Sequence, residues 1–264
     1  MSTLTQFVHF DSIYSNYIND PTSTCEKPLN AYRTNFPLNQ SFRKLKRIYL
    51  KSLEFPVGFA NVRRGSTDSF SFTINGHTYN FVMAEKNYTT IALLLTDINS
   101  YIFTTFPTGG YTMVISVNPA QGLGNASLLI QFTNTTSFQW IDTNLSKYLL
   151  GFRSTDLLQL TTTVYSSNNF NLNPDNYILM SIPTLSSFNG CMSGIKCTFK
   201  VPFNAIQNQI YFYQNGSSYE QWVDIDNKDL CITNLEVNIT DRYGKALYSW
   251  GWDYSFTLAF ESEK

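Results

Sequence analysis

Residues 70–74 (Phe-Ser-Phe-Thr-Ile) alternate apolar and polar, Asn75-Gly76 follows, and residues 77–82 (His-Thr-Tyr-Asn-Phe-Val) alternate again. Asn-Gly between two such runs is the strongest short-range signal for a β-hairpin, because both turn residues tolerate positive φ. This stretch is therefore committed to antiparallel pairing, and the rest of the chain follows its pattern. Strand-like runs of similar length recur at 6–13, 111–118, 128–133, 177–182, 197–203, 210–214, 221–225, 230–239 and 254–260. Many short strands separated by turn residues predict an all-β fold, an antiparallel β-sandwich of jelly-roll type.

One or two short helices are expected in the connections. After Asn87, read as an N-cap, the apolar residues Ile91, Leu94, Leu95, Ile98 and Ile102 recur at helical spacing. A second helix is predicted over 142–150, stopped by Gly151 in a left-handed cap. Residues 16–40 hold three prolines and little periodicity, and they read as a long extended excursion after the first strand. The first 40 or so residues are thus expected to form an N-terminal arm that wraps its own domain or reaches a neighbour. With 264 residues and no linker-like shift in composition, a single domain over 1–264 is expected.

Composition narrows the function. Charged residues are 14% of the chain, against about 25% in ordinary soluble domains. Aromatics reach 16%, with 21 Phe and 17 Tyr. A surface low in charge and rich in aromatic and amide groups resembles a protein interface, and a base-composition bias of the coding sequence is an equally open reading. Eighteen basic and nineteen acidic residues leave a net charge of −1, so no global field favours nucleic acid or an anionic membrane. Nucleic acid is not an expected partner. No apolar run approaches the roughly 20 residues that cross a bilayer, and the first residues show no secretory signal, so synthesis in a cytosol-like compartment is expected. Cys25, Cys191, Cys197 and Cys231 lack the spacing of zinc or redox pairs and read as reduced thiols.

Little in the chain points to catalysis, and no catalytic, cofactor-binding or metal-ligating residue is assigned. The two histidines, His9 and His77, both lie in strand-like context. A catalytic reading needs one of them in a concave site beside a carboxylate. No phosphate loop, nucleophile elbow or HExxH pattern is present. Residues 224–229 alternate acidic positions but lack the glycine and terminal glutamate of a calcium loop. Arg43, Lys44, Lys46, Arg47 and Lys51, with Arg63 and Arg64 beyond, form a basic cluster. It is read as a solvent-facing strand or a protein contact. Trp250 and Trp252 are read as core rather than as a sugar platform, and the six N-x-[ST] sequons are no more than chance supplies.

Several segments, taken in order, carry a resemblance. Residues 46–56 (Lys-Arg-Ile-Tyr-Leu-Lys-Ser-Leu-Glu-Phe-Pro) form a basic strand ending in proline. Asn87-Tyr88-Thr89 is followed by Leu94, Ile98 and Asn99, and Leu149-Leu150-Gly151-Phe152 closes the next helix. Val201-Pro202-Phe203-Asn204, the run 210–215, and 232–241 with Gly244 and 252–258 complete the set. Together they resemble the single jelly-roll penton and minor capsid proteins of virophages, polinton-like elements and related large DNA viruses. The resemblance covers residues 46 to 258. It implies a non-enzymatic structural protein of the virion, made in the host cytoplasm. It further implies a vertex subunit, with five copies around the five-fold axis in contact with the major capsid protein. A minor or cement capsid protein of the same lineage is the alternative, followed by a receptor- or sugar-binding jelly roll.

Overall fold

The hairpin forms as the sequence dictates. Ser69–Ile74 pairs with His77–Val82 in unbroken register, and the turn residues Asn75 and Gly76 sit at φ 48° and 80°. The structure, a computed structural model, describes residues 3–17, 34–57, 60–105, 113–118, 127–133, 137–156, 163–173, 175–188, 190–192, 195–202, 209–214, 216, 221–225, 230–247 and 253–263. The chain begins with β1 (Thr3–Asp11), β2 (Asn16–Tyr17), β3 (Thr34–Phe42) and β4 (Leu45–Pro56). It continues through β5 (Ser69–Ile74), β6 (His77–Val82), α1 (Ile91–Thr105), β7 (Met113–Val117), β8 (Leu128–Phe132), β9 (Phe138–Ile141) and β10 (Thr163–Tyr165). Next come β11 (Tyr177–Ser181), β12 (Gly190–Met192), β13 (Ile195–Cys197) and β14 (Phe199–Pro202). It ends with β15 (Ile210–Gln214), β16 (Trp222–Asp224), β17 (Ile232–Thr240) and β18 (Ser255–Glu263).

Contacts divide the chain into two compact units, Met1–Phe59 with Asp175–Lys264, and Ala60–Pro174. Each unit has its own apolar core. In the first unit one large sheet runs β1-β18-β4-β15, with β16 also on β4, a second runs β14-β11-β17-β3-β2, and β12 and β13 pair by themselves. Every pairing is antiparallel. Taken in chain order, β1, β3, β4, β11, β14, β15, β17 and β18 change sheet at every step except between β11 and β14, which pair as neighbours, the pattern of the eight strands of a jelly roll. The second unit is an insertion in the connection between the third and fourth of these strands, β4 and β11.

The roll is closed by aromatic contacts within and between its sheets. Phe10 of β1 stacks on its cross-strand partner Phe256 of β18 at 4.7 Å, and Phe36 of β3 in the facing sheet meets Phe256 edge-on at 5.3 Å. Phe42 of β3 stacks on Phe260 of β18 at 4.3 Å. Such pairs contribute about 0.5–1.5 kcal/mol each beyond their buried area. The buried Tyr254 hydroxyl donates to Thr34 Oγ1 at 2.8 Å, so a polar tip also finds its partner across the core.

The expected N-terminal excursion is corrected in part. Residues 34–40 belong to β3, which pairs with β17, while residues 18–33 lie outside the described residues. Pro37 hides this strand in the sequence, because proline gives no N–H to a ladder. It is tolerated here opposite Asn234, where the register shifts between Ile232 and Asn234. The predicted strand 197–203 is divided as well. Thr198 separates β13 from β14, its N–H donating to Met180 O and its Oγ1 accepting from Ile182 N–H.

In the second unit, sheets β6-β5-β9 and β10-β8-β7 accompany α1. Phe70, Phe72, Trp140 and Phe152 have essentially no exposure there. Helix α1 forms as its spacing predicts, with Leu94, Ile98 and Ile102 buried, but its N-terminus is capped by Thr90, not Asn87. Leu94 N–H donates to Thr90 O and Leu93 N–H to Thr90 Oγ1, both at 3.4 Å. Asn99 then bonds both backbone groups of Ile115, each at 2.9 Å, and so ties the helix to strand β7.

Tyr88, just before the helix, is buried, and its backbone is held by the Asn61 amide. Its hydroxyl and Lys86 Nζ both donate to Asp97 Oδ2, at 2.8 and 2.7 Å. These two donors, Lys86 first, hold the Asp97 carboxyl below its ordinary value. A depressed pKa means the stabilisation is complete above the unfolded value of about 4 and lost as pH falls through the folded one. Asp97→Asn should therefore cost at most about 1 kcal/mol at neutral pH, since the pair is half exposed. Thermal melts from pH 7 down to 3 should show the gap between variant and wild type closing at the acid end.

The second predicted helix is a π-helical turn, Leu145–Leu150, and it ends at Gly151 with φ 80° as expected. Sterics demand glycine here twice over. A side chain disfavours the left-handed region, and a Cβ would collide with the Asn168 carbonyl oxygen and lie 2.9 Å from Asn169 O. Gly151→Ala should cost about 3 kcal/mol or more in urea unfolding, the sum of strain and overlap. Gly65→Ala should cost only about 1–2 kcal/mol, since Gly65 has φ 68° but open space around it.

Candidate interaction surfaces of the jelly roll

The outward face of the β1-β18-β4-β15 sheet is built from cross-strand rows. One row runs Phe7, Ala259, Tyr49, Trp222, and the next runs Thr5, Glu261, Arg47, Asp224. The middle of this face is satisfied. Ala259 is fully buried between Phe7 and Tyr49, and the Tyr49 hydroxyl donates to Glu261 Oε2 at 2.9 Å. Arg47 Nε donates to Asp224 Oδ1 at 2.7 Å, with the guanidinium 5.9 Å from the Trp222 ring centre. The Asp224 carboxylate, and then Tyr49, hold the Arg47 guanidinium still more firmly protonated. Partial burial raises the Tyr49 phenol.

The flanks differ. Phe7 on β1 is 67% exposed, and Ile210, Phe212 and Trp222 at the opposite side are 65%, 55% and 49% exposed. Beside β1, a cavity of about 600 Å3 opens between β1 and β3, lined by Val8, Phe10, Tyr14, Phe36 and Leu38 among others. His9 and Asp11 also stand on its wall, which is the juxtaposition a catalytic reading asks for. Their bonds are those of a scaffold. Asp11 Oδ1 accepts from Ile13 N–H and caps the following turn, while His9 Nδ1 lies 3.2 Å from Thr257 Oγ1. His77 is exposed on the hairpin.

The basic cluster does not form one surface. Lys46 pairs with Glu263 at 3.4 Å, Arg47 with Asp224, and Lys51 covers the Tyr49 ring at 4.9 Å. Arg43 and Lys44 are exposed at the β3–β4 turn, where Lys44 takes φ 51°. Arg63 is 3% exposed and donates to Ala60 O, and Arg64 is exposed; both belong to the inserted unit. Of the acidic run 224–229, Asp224 pairs with Arg47 and positions 226–229 lie outside the described residues, as do Trp250 and Trp252. Cys197 is buried and Cys231 exposed, both free. Cys25 and the Cys191 side chain lie outside the description. Among the described residues, no three His, Cys, Asp or Glu side chains converge as a metal site, and no helix is long and apolar enough to cross a membrane. The exposed aromatics of β1, β15 and β16 went unassigned in the sequence. The one signal that could have found them is an outward position occupied by Phe or Trp in an alternating strand.

Fold and surface together define a jelly-roll protein with an insertion after the third strand of its roll and apolar flanks on one sheet. The mavirus penton protein has the same fold: the likeness covers 98% of this chain and 100% of that one, at a TM-score of 0.50 and 11% identity. A chain of the Sputnik virophage structure matches over 97% of this chain and 98% of its own, at 12% identity. Its TM-score of 0.40 is too slight to add weight. No protein-family model matches the chain, and no curated protein matches it in sequence.

Proposed function

We propose that this chain is a structural, non-enzymatic capsid protein: a penton subunit of a virophage-like virion. Five copies ring the five-fold axis and contact the major capsid protein, and the chain is made in the cytoplasm of the host. The observation that carries this reading is the end-to-end likeness to the mavirus penton protein, which spans the roll and its insertion alike. The ordered motif resemblance over 46–258 supports it independently. So do His9, whose described bond is to Thr257 on the neighbouring strand, and the apolar flanks, which suit assembly by repeated modest contacts.

The test is to assemble particles from the major capsid protein of the same genome with and without this chain, and to image them. The expected result is density at the vertices only when the chain is present. Particles with closed vertices in its absence, and no incorporation when it is supplied, would sink the proposal. A sugar-binding reading has one observation in its favour, the half-exposed Trp222 two residues from Asp224. Arg47 already covers that ring and holds that carboxylate.

A further inference from the structure

We infer that copies of this chain join through opposite edges of one sheet, the β1 edge of one copy pairing with the β15–β16 edge of the next. This deepens the vertex reading and rests on it for the ring. Edge strands of monomeric proteins are normally guarded by lysine, proline, bulges or short length, because unpaired N–H and C=O groups invite another strand. Strand β1 has none of these guards. It is nine residues long, carries no Lys, Arg or Pro, and keeps unbroken register with β18 from Thr3 to Asp11. Among the described residues it pairs on one side only. The residues of β15, Ile-Tyr-Phe-Tyr-Gln, are likewise uncharged.

The large apolar side chains exposed on the outward face cluster at these same two edges: Phe7 at one, Ile210, Phe212 and Trp222 at the other. Between them the face is closed by Ala259, Tyr49 and the Arg47–Asp224 pair. A contact that joins the two flanks covers both sets at once.

Strand polarity selects a second copy, placed head to tail. Strand β1 is antiparallel to β18, β18 to β4, and β4 to β15. The two edges of the sheet therefore run in opposite directions. A neighbour related by rotation about an axis along the strands presents its β15 antiparallel to β1, so the hydrogen-bonding pattern continues unchanged. Repetition of that heterologous contact closes a ring. A two-fold contact between β1 edges would cover only one flank and leave Ile210, Phe212 and Trp222 bare.

The experiment compares native masses of the full chain, Phe7→Lys, Phe212→Glu and an equal mixture of the two variants. Both sites are exposed, and circular dichroism melts verify that each variant folds. Wild type should form rings and each variant alone should fall to single copies. The mixture should recover pairs holding one copy of each, because Phe212→Glu keeps an intact β1 edge and Phe7→Lys an intact β15 edge. Rings that persist in both variants would overturn the edge assignment while leaving the vertex reading standing. Dispersal by Phe7→Lys alone, or a mixture that stays single, would show that the two edges do not meet. A wild-type chain that stays single at every concentration would remove the ring itself and the pairing with it.

Discussion

Removing residues 1–40 should destroy the jelly roll rather than trim an appendage from it. The deletion takes away β1, which forms nine consecutive pairs with β18, and nearly all of β3, which pairs with β17. It also removes Phe10 and Phe36, each 4% exposed, whose rings meet Phe256 in the centre of the sandwich. Loss of a single buried Phe costs about 3–5 kcal/mol, which is comparable with the whole stability of a typical domain. Two rings and two strands exceed it. The truncated chain should lose its near-ultraviolet circular dichroism from the roll and become insoluble or protease-sensitive. A soluble truncated chain with a cooperative melt and β-rich spectrum would show that the first strands are dispensable to this fold.

Ile98→Asp should unfold the inserted unit. Ile98 has no exposure and packs in the core that contains Leu94, Leu95 and Ile102 on the same helix. Losing the buried side chain alone costs about 2–5 kcal/mol. The carboxyl that replaces it finds no charge partner in an apolar core, and it must either stay ionised at high cost or be forced neutral. Leu93→Asp is the matched control, because Leu93 lies on the same helix but is 51% exposed. Limited proteolysis and thermal melts should separate the two, with Ile98→Asp cleaved within 60–174 and Leu93→Asp near wild type. Equal stability of the two variants would mean that the buried face of α1 is assigned to the wrong side.

Period and turn chemistry carried most of the local structure from residues to fold. The hairpin at Asn75-Gly76, the helical face of Ile91 to Ile102 and the stop at Gly151 were legible because each rests on one local rule. Asn75 and Gly76 need positive φ, helix spacing repeats on one face, and Gly151 takes a left-handed conformation. The motif residues around Asn87 gained their meaning only in three dimensions. Tyr88 and Asn99 serve bonds to Asn61 and Ile115 that lie far along the chain.

Strand β3 was illegible because Pro37 and a run of amides mask its alternation, and its pairing with β17 accommodates them only through a register shift whose extra residues lie in β3. The same physics hid the division into two units. A jelly roll pairs its first strand with its last, so the boundary at Ala60 and Pro174 is set by long-range pairing that composition does not mark. The exposed flanks were hidden for a related reason. Phe7 and Phe212 sit in alternating runs that suggest burial, and only the register reveals that they face outward.

The central claim, a ring-forming structural subunit, is tested most directly by native mass spectrometry of the purified full chain, with electron micrographs of the same sample. The account predicts a species of five times the 30.2 kDa chain mass and five-membered rings in the images. A stable trimer, the assembly expected of a spike or receptor-binding module, would contradict it.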